Sequence, residues 1–348
     1  MIGIGIIGCG KIAQIRHIPE LLDNPNAQIV GCFDRNMERA SEIAASINAQ
    51  AYDSIDALLA EPRIDAVFVC VANNAHCEVS VKALKAGKDV ICEKPMATTL
   101  EDCELMVRTA KACGRKLMIA QNQRLADAHV KAKELIEAGE IGRVLTFRTS
   151  FGHSGPENWS VDSGRGTWFF DKAQAVMGVM ADLGIHKTDL IQYIIGQNVV
   201  AATARLVTLD KKGPDGNPIG VDDNAICIYE MSGGAMGTMV ASWSYYGAED
   251  NSTVIYGTEG NITIYDIDRS PIVVRKPSGE VISYELGQIQ TNACQTKSGI
   301  VDAFIQSLVN DTEPPISGEN VLTAMRAVFA SIQSSDTGRR IEIPENRL

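Results

Sequence analysis

Three side chains in this sequence have the types and spacing for acid–base chemistry: Lys94, Asp182 and His186. Asp182 and His186 lie four residues apart in VMGVMADLGIHKTDLIQYII, and on a helix that spacing puts both on one face. A carboxylate and an imidazole among so many apolar neighbours need a reason. Either they form a hydrogen-bonded structural pair, or His186 exchanges a proton with a substrate hydroxyl while Asp182 orients it or binds the substrate. Metal ligation is a third use of such a pair, but no HExxH or Cys–His spacing accompanies it, so no metal is expected. Lys94 follows an apolar run in Cys92-Glu93-Lys94-Pro95. It is either a solvated surface lysine or a donor to a substrate oxygen at the end of a strand.

The elements that must position these groups begin at the amino terminus. IGIGIIGCGKIA joins a buried-strand pattern to Gly8-x-Gly10-x-x-Ala13 and then to a helix. Gly8 suits the sharp bend, Gly10 a close approach of backbone to pyrophosphate, and Ala13 tight helix–strand packing. With Lys11 and Ile12, these residues form the expected phosphate-binding turn at the positive end of the helix. Such a turn can also be a plain connection, but a second apolar run, QIVGCFD, ends in Asp34 one βαβ step later. A carboxylate there accepts hydrogen bonds from ribose hydroxyls and repels a 2′-phosphate, which favours NAD; Arg35 beside it leaves NADP open.

From Gly3 to about Ala120, apolar runs at 3–7, 28–33, 66–71, 89–92 and 116–120 alternate with helical patterns at 11–22, 36–47, 54–60, 75–86 and 99–113. This is the rhythm of a doubly wound parallel sheet, so the fold class is α/β, with a Rossmann domain at 1–121. Domain two, 122–348, carries helices expected near 127–138 and 173–195. Strand patterns follow near 200–209, 223–231, 236–246, 252–257, 261–265, 271–276 and 281–286, then helices near 297–310 and 319–335. Strands without intervening helices imply an α+β domain with a large, mostly antiparallel sheet. A cleft between the domains is the expected place for ligand. The 348 residues are 45% hydrophobic with a net charge of −11, which supports real cores and argues against a nucleic-acid partner. No apolar run is long enough to span a membrane and no signal peptide is evident, so a cytoplasmic location is expected. The nine cysteines contain no CxxC pair and suit buried free thiols.

Taken together, GCGKIA, the Val71-Ala72-Asn73-Asn74-Ala75-His76 loop, Glu93-Lys94-Pro95 and Asp182-x-x-x-His186 resemble the Gfo/Idh/MocA oxidoreductases, the family of glucose-fructose oxidoreductase and inositol dehydrogenase. The resemblance covers nearly the whole chain. It implies that Lys94, Asp182 and His186 are catalytic and also touch substrate. It further implies that the loop after the third strand, with Val71, Asn73 and His76, borders the cofactor together with Glu93, Lys94 and Gln121. The family's loop is usually TPNxxH; Asn73 and His76 match, whereas the Thr and Pro do not. Asn122, Arg124 and His153 are expected near substrate. Trp168 resembles a tryptophan that often precedes the catalytic helix, or is ordinary loop packing. His153 shares its loop with Glu157, Asn158, Trp159 and Arg165; an arginine facing the pocket, Arg124 or Arg165, would suit a carboxylate-bearing sugar.

The chemistry implied is NAD(P)-dependent hydride transfer between nicotinamide and a carbinol or keto carbon of a sugar, cyclitol or related polyol. Two other readings stand beside it: an NAD-retaining hydrolase or lyase that acts on a glycoside through a transient keto intermediate, and a non-enzymatic sugar or NAD sensor. The resemblance also implies a homodimer or homotetramer.

Overall fold

The computed structural model describes residues 1–266, 270–287 and 297–344, and the chain divides into two compact units. Unit one contains Met1–Asn122 and, from the later described residues, 297–322. Its sheet comprises β1 (Ile2–Ile7), β2 (Ala27–Phe33), β3 (Gln50–Ala51), β4 (Ala66–Val69), β5 (Asp89–Cys92) and β6 (Leu117–Ile119) in the order β3-β2-β1-β4-β5-β6. Every pairing is parallel. The strand order reverses between β1 and β4, and such a switch point opens a crevice at the carboxyl ends of the strands. β3 has two residues, too few for any periodicity to reveal.

The helices of this unit are α1 (Ile18–Asp23), α2 (Met37–Ser46), α3 (Ile55–Ala60), α4 (His76–Lys85) and α5 (Leu100–Cys113). Asn36, Ser54 and Thr99 cap α2, α3 and α5 by accepting the N–H of Arg39, Ala57 and Asp102. Residues 316–317 return to cover β6: Ile119 N–H donates to Ile316 O at 3.0 Å, and Met118 bridges Ser317. Helix α9 (Ile300–Val309) likewise belongs with the first unit although it comes late in the chain.

Unit two is built on a nine-stranded sheet of β7 (Val144–Gly152), β8 (Val199–Val207), β9 (Asn224–Met231), β10 (Met236–Ser242), β11 (Thr253–Gly257), β12 (Gly260–Ile264), β13 (Ile272–Arg275), β14 (Val281–Tyr284) and β15 (Ile341–Glu342). The order is β14-β13-β12-β11-β7-β10-β9-β8-β15, antiparallel except for β7 with β10. The central β7 lies in RVLTFRTSFG, where sequence pattern assigns no strand. Helices α6 (Asp127–Glu137), α7 (Lys172–Ala175) and α8 (Ile185–Ile195) complete the part of this unit that matters for chemistry, and α10 (Gly318–Thr337) ends the helical content.

The single helix expected over 173–195 is broken. α7 stops at Val176, whose φ is +65°, and the chain re-enters through a wide π turn at Met180–Gly184 before α8 begins. The cause is Asp222. Its carboxylate accepts the N–H of Gly178 and of Met180, both at 2.8 Å, and a Cβ on Gly178 would lie 1.9 Å from the Asp222 carbonyl oxygen.

Among the described residues no cysteine is in a disulfide: Cys9, Cys32, Cys70, Cys92, Cys103 and Cys227 are buried, and Cys77 and Cys113 are half-buried. Cys294 lies outside the described residues.

On α8, Lys187 is fully buried. Its Nζ donates to Asn251 O at 2.9 Å and lies 5.9 Å from the centre of the Phe151 ring. Burial lowers its pKa to about 7, a shift that Asp250 and Glu249 only partly oppose. The unfolded lysine therefore holds a proton that the native one releases between about pH 7 and 10.5, and stability rises with pH across that window. Below pH 7 the penalty of the buried charge is fully present. Lys187→Met should remove this slope, so that wild-type stability relative to the variant improves by a few kcal/mol, order of magnitude, from pH 6 to 10. Urea midpoints measured across that range check this; parallel pH dependences for the two proteins would refute it.

Candidate active site

In the first unit, β1 ends at a turn that only glycine can make. Gly8 has φ +98°, and a Cβ there would meet the Cys70 carbonyl oxygen at 2.4 Å. Gly10 differs: a Cβ would meet nothing within 4 Å, so packing within the protein does not demand glycine. A ligand that must approach the backbone does. The helix that Lys11 and Ile12 begin passes through a wide π turn at Ala13–His17, with Ala13 fully buried against the sheet. Asp34 is held at the tip of β2: Oδ2 accepts the Cys9 N–H and Oδ1 the Asn36 N–H, both at 2.8 Å. Carboxylate oxygens accept more than one bond each, so ribose hydroxyls can still be received. Arg35 is exposed, and Arg39, which the sequence did not single out, places its guanidinium 3.7 Å from Asp34 Oδ1.

Further along the carboxyl edge, His76 is enclosed, with Nδ1 2.7 Å from Pro95 O and Nε2 3.1 Å from Val71 O. Burial lowers its pKa, which favours the neutral ring. A neutral ring donates to one of these two carbonyls, and the side chain packs the Val71–His76 loop against the lysine turn. Asn73 is buried nearby in sequence. Glu93 also faces inward: Oε1 is 2.7 Å from His17 Nε2, and Oε2 accepts the Lys94 N–H at 3.2 Å. Both side chains are therefore held by partners within the protein. Lys94 is half-buried at the end of β5, preceding a cis peptide bond to Pro95. Gln121, just past β6, is 1% exposed, and neither polar atom of its amide has a hydrogen-bond partner among the described residues. An orphaned buried amide, an open glycine cradle and a fixed carboxylate suit a dinucleotide.

In the second unit, Asp182 lies on the wide turn and His186 on the first turn of α8, both buried. Asp182 Oδ2 accepts the indole N–H of Trp243 at 3.0 Å. Trp243 is fully buried and packs against Phe169 and Phe170; Phe169 in turn stacks on Trp168, with ring centres 4.0 Å apart. The Phe151 ring lies between His186 and His153, with centre distances of 6.1 and 6.0 Å. His153 Nδ1 accepts the Gly155 N–H at 2.9 Å, which leaves Nε2 to carry the proton of a neutral ring. The following loop is fastened by Lys211, whose Nζ donates to Ser154 O at 2.6 Å and to Glu157 Oε1 at 2.5 Å. Glu157 thus serves the loop.

Arg124 is buried, with Nε and Nη2 donating to the two oxygens of Asp189 at 2.7 and 2.5 Å and the guanidinium 5.4 Å from the Tyr193 ring centre. Its fork anchors the chain ahead of α6 to α8, so the condition under which Arg124 would suit a carboxylate-bearing sugar is not met by these two nitrogens. Arg165 is exposed, Asn158 caps its own loop through Ser154, and Asn122 is half-buried.

Residues 2–121 match the GFO/IDH/MocA family model described as an oxidoreductase family, NAD-binding Rossmann fold, and residues 129–263 match the GFO/IDH/MocA C-terminal domain. The chain belongs to the Gfo/Idh/MocA family. Among family relatives, myo-inositol 2-dehydrogenase of Thermotoga maritima is 26% identical over 98% of each chain. Levoglucosan dehydrogenase of Pseudarthrobacter phenanthrenivorans is 31% identical over 68% of this chain and 64% of its own. A solved structure of levoglucosan dehydrogenase with NADH and levoglucosan superposes with a TM-score of 0.85 at 24% identity, covering 99% of this chain and all of that one, a likeness of fold. The family's Rossmann unit binds NAD.

Two residues that the sequence analysis passed over, His17 and Trp243, hold two of the three candidate catalytic segments. His17 follows Ala13 by four residues, so the face that buries Ala13 also buries His17. A buried tryptophan needs an acceptor for its N–H, which is the only local hint that Trp243 would reach a carboxylate.

The two glycines of the turn should separate fold from ligand. Gly8→Ala is expected to cost about 1–3 kcal/mol of stability through backbone strain and the clash with Cys70. Gly10→Ala should unfold at the wild-type midpoint yet bind NAD at least tenfold more weakly. Denaturant unfolding and titration with NAD measure both; wild-type affinity in Gly10→Ala would remove the cradle assignment.

Proposed function

We propose that the chain is an NAD-dependent dehydrogenase that transfers a hydride between nicotinamide C4 and a carbinol carbon of a sugar, cyclitol or related polyol. The observation that carries this reading is the pairing, in one chain, of an open glycine cradle with a buried Asp182–His186 segment whose carboxylate is held by Trp243. The names of the inositol and levoglucosan dehydrogenases support the substrate class.

In this proposal NAD, when bound, supplies the hydride acceptor. Residues Gly8 to Ala13, including Lys11 and Ile12, would hold its pyrophosphate and Asp34 its ribose hydroxyls, and Arg35, Val71, Asn73 and Gln121 would contribute further contacts. His186 takes the proton of the reacting hydroxyl. Lys94 donates a hydrogen bond to the oxygen on which charge develops, which lowers the barrier only as that charge appears. Asp182 orients substrate and imidazole, and the indole N–H keeps its carboxylate from turning away. His153, Asn122 and the exposed face of Trp168 offer further hydroxyl and ring contacts.

Purified protein incubated with NAD or NADP and a panel of inositols, hexoses, anhydrosugars and sugar acids should form reduced cofactor with at least one of them. Lys94→Ala and His186→Ala should each lower turnover by about 10²-fold or more. Near-normal turnover in either variant, with fold and NAD affinity intact, would remove that residue from the mechanism. No signal in either direction, with NAD still bound to the protein, would favour a lyase or hydrolase that recycles it.

The same proposal makes the protein a cytoplasmic homodimer or homotetramer. No helix among the described residues is long and apolar enough to cross a membrane. Ile226, Ile228 and Met236 expose 58, 42 and 51% of their surface on the neighbouring strands β9 and β10, an apolar face that a second copy would cover. Light scattering that finds only monomer, or fractionation that recovers the protein outside the cytoplasm, would reject the corresponding part.

A further inference from the structure

We infer that His17, acting through Glu93, is the positioning residue that fixes the turn carrying Lys94. The inference rests on the reading of Lys94 as a catalytic group.

His17 is 1% exposed at the end of the wide turn Ala13–His17, with its ring edge-on to Phe68 at 5.2 Å between centres. Its Nε2 is 2.7 Å from Glu93 Oε1, and its Nδ1 has no hydrogen-bond partner among the described residues, so Glu93 is the contact that orients the ring. Glu93 spends its other oxygen on the N–H of Lys94. The histidine therefore reaches the lysine's backbone through one carboxylate.

The rest of the turn is held from other directions. Glu93 N–H donates to Val69 O at 2.9 Å, and Pro95 O faces His76 Nδ1 at 2.7 Å. These contacts fix the residues on either side of Lys94, whereas the bond to its own N–H depends on Glu93 being an oriented anion. Burial alone would raise the Glu93 pKa; the bond to His17 and the charges of His17, Arg16 and Lys94 outweigh it and hold the value down to about 2. An ionised acceptor makes the stronger hydrogen bond. Without the imidazole, the carboxylate faces its desolvation cost with one partner fewer and is free to protonate or rotate.

The location adds a second consequence. His17 lies on the helix that starts at the glycine cradle, and Glu93 directly follows β5, so their bond ties the dinucleotide turn to the lysine turn within one unit. A displacement of about 1 Å in a catalytic group can cost 10²-fold in rate, so this tie should be read in turnover more than in cofactor affinity.

The test compares His17→Leu, His17→Gln, Glu93→Gln and the double variant His17→Gln/Glu93→Gln, using the panel polyol that gives the fastest NADH formation, with Lys94→Ala as reference. His17→Leu should lose at least tenfold in kcat, keep NAD affinity within about threefold, and show activity failing at a higher pH on the acid side, because Glu93 then protonates more easily. His17→Gln, whose amide can still donate to Glu93, should recover most of the turnover. If His17→Leu does not fold, the cycle of the two Gln variants decides: the double variant should be no slower than the slower single one. Wild-type kcat and pH profile in His17→Leu, or independent multiplying losses in the cycle, would overturn the positioning role. Full turnover in Lys94→Ala would instead overturn the reading on which it rests.

Discussion

A carboxylate removed from water must find donors, and this fold supplies them from the backbone at the places where the chain departs from regular structure. Asp34 accepts the N–H of Cys9 and Asn36, Glu93 that of Lys94, and Asp222 those of Gly178 and Met180. Asp223 accepts three in succession, from Leu209, Asp210 and Lys211. Each carboxylate thus holds a loop that sheet and helix hydrogen bonds leave unsupported. The glycine turn, the lysine turn and the entry to α8 are all stapled this way, so each depends on its carboxylate keeping those hydrogen bonds.

The pattern explains the division of labour between side chains. Groups assigned to chemistry, such as Lys94 and His186, are flanked by others whose polar atoms are committed within the protein. His76 sits between two carbonyls and, as a neutral ring, donates to one of them, Arg124 holds Asp189, and Trp243 holds Asp182. A residue type suited to a ligand is therefore not evidence of contact with one; the count of bonds already made decides. By that count Gln121, buried with its amide unmatched among the described residues, stands apart from Arg124.

Sequence showed most of the first unit because strands of a parallel sheet are covered on both faces and appear as apolar runs separated by helical periods. It showed Gly8, Asp34 and the Asp182–His186 spacing for the same reason: each is a local pattern. It did not show β3, which is too short, or β7, whose alternation is blurred by Leu145, Thr146 and Arg148 on partly exposed positions. Nor did it show the break before α8, since Asp222 lies 44 residues from Gly178, or the His17–Glu93 pair, whose members are 76 residues apart. Periodicity reports on neighbours along the chain, while these features are set by a carboxylate arriving from elsewhere.

The return of residues 316–317 to β6 has a consequence for synthesis. A nascent chain emerges amino terminus first, and β6 is made long before the segment that bonds Ile119 and bridges Met118. Until that segment leaves the ribosome, the outer side of β6 is an unpaired strand edge, able to template association with another chain. The second unit, encoded in between, is complete in most of its sheet by the time the first can close its own. Both units thus wait on the end of the chain, for residues 316–317 cover β6 and only afterwards does β15 pair with the outer edge of β8.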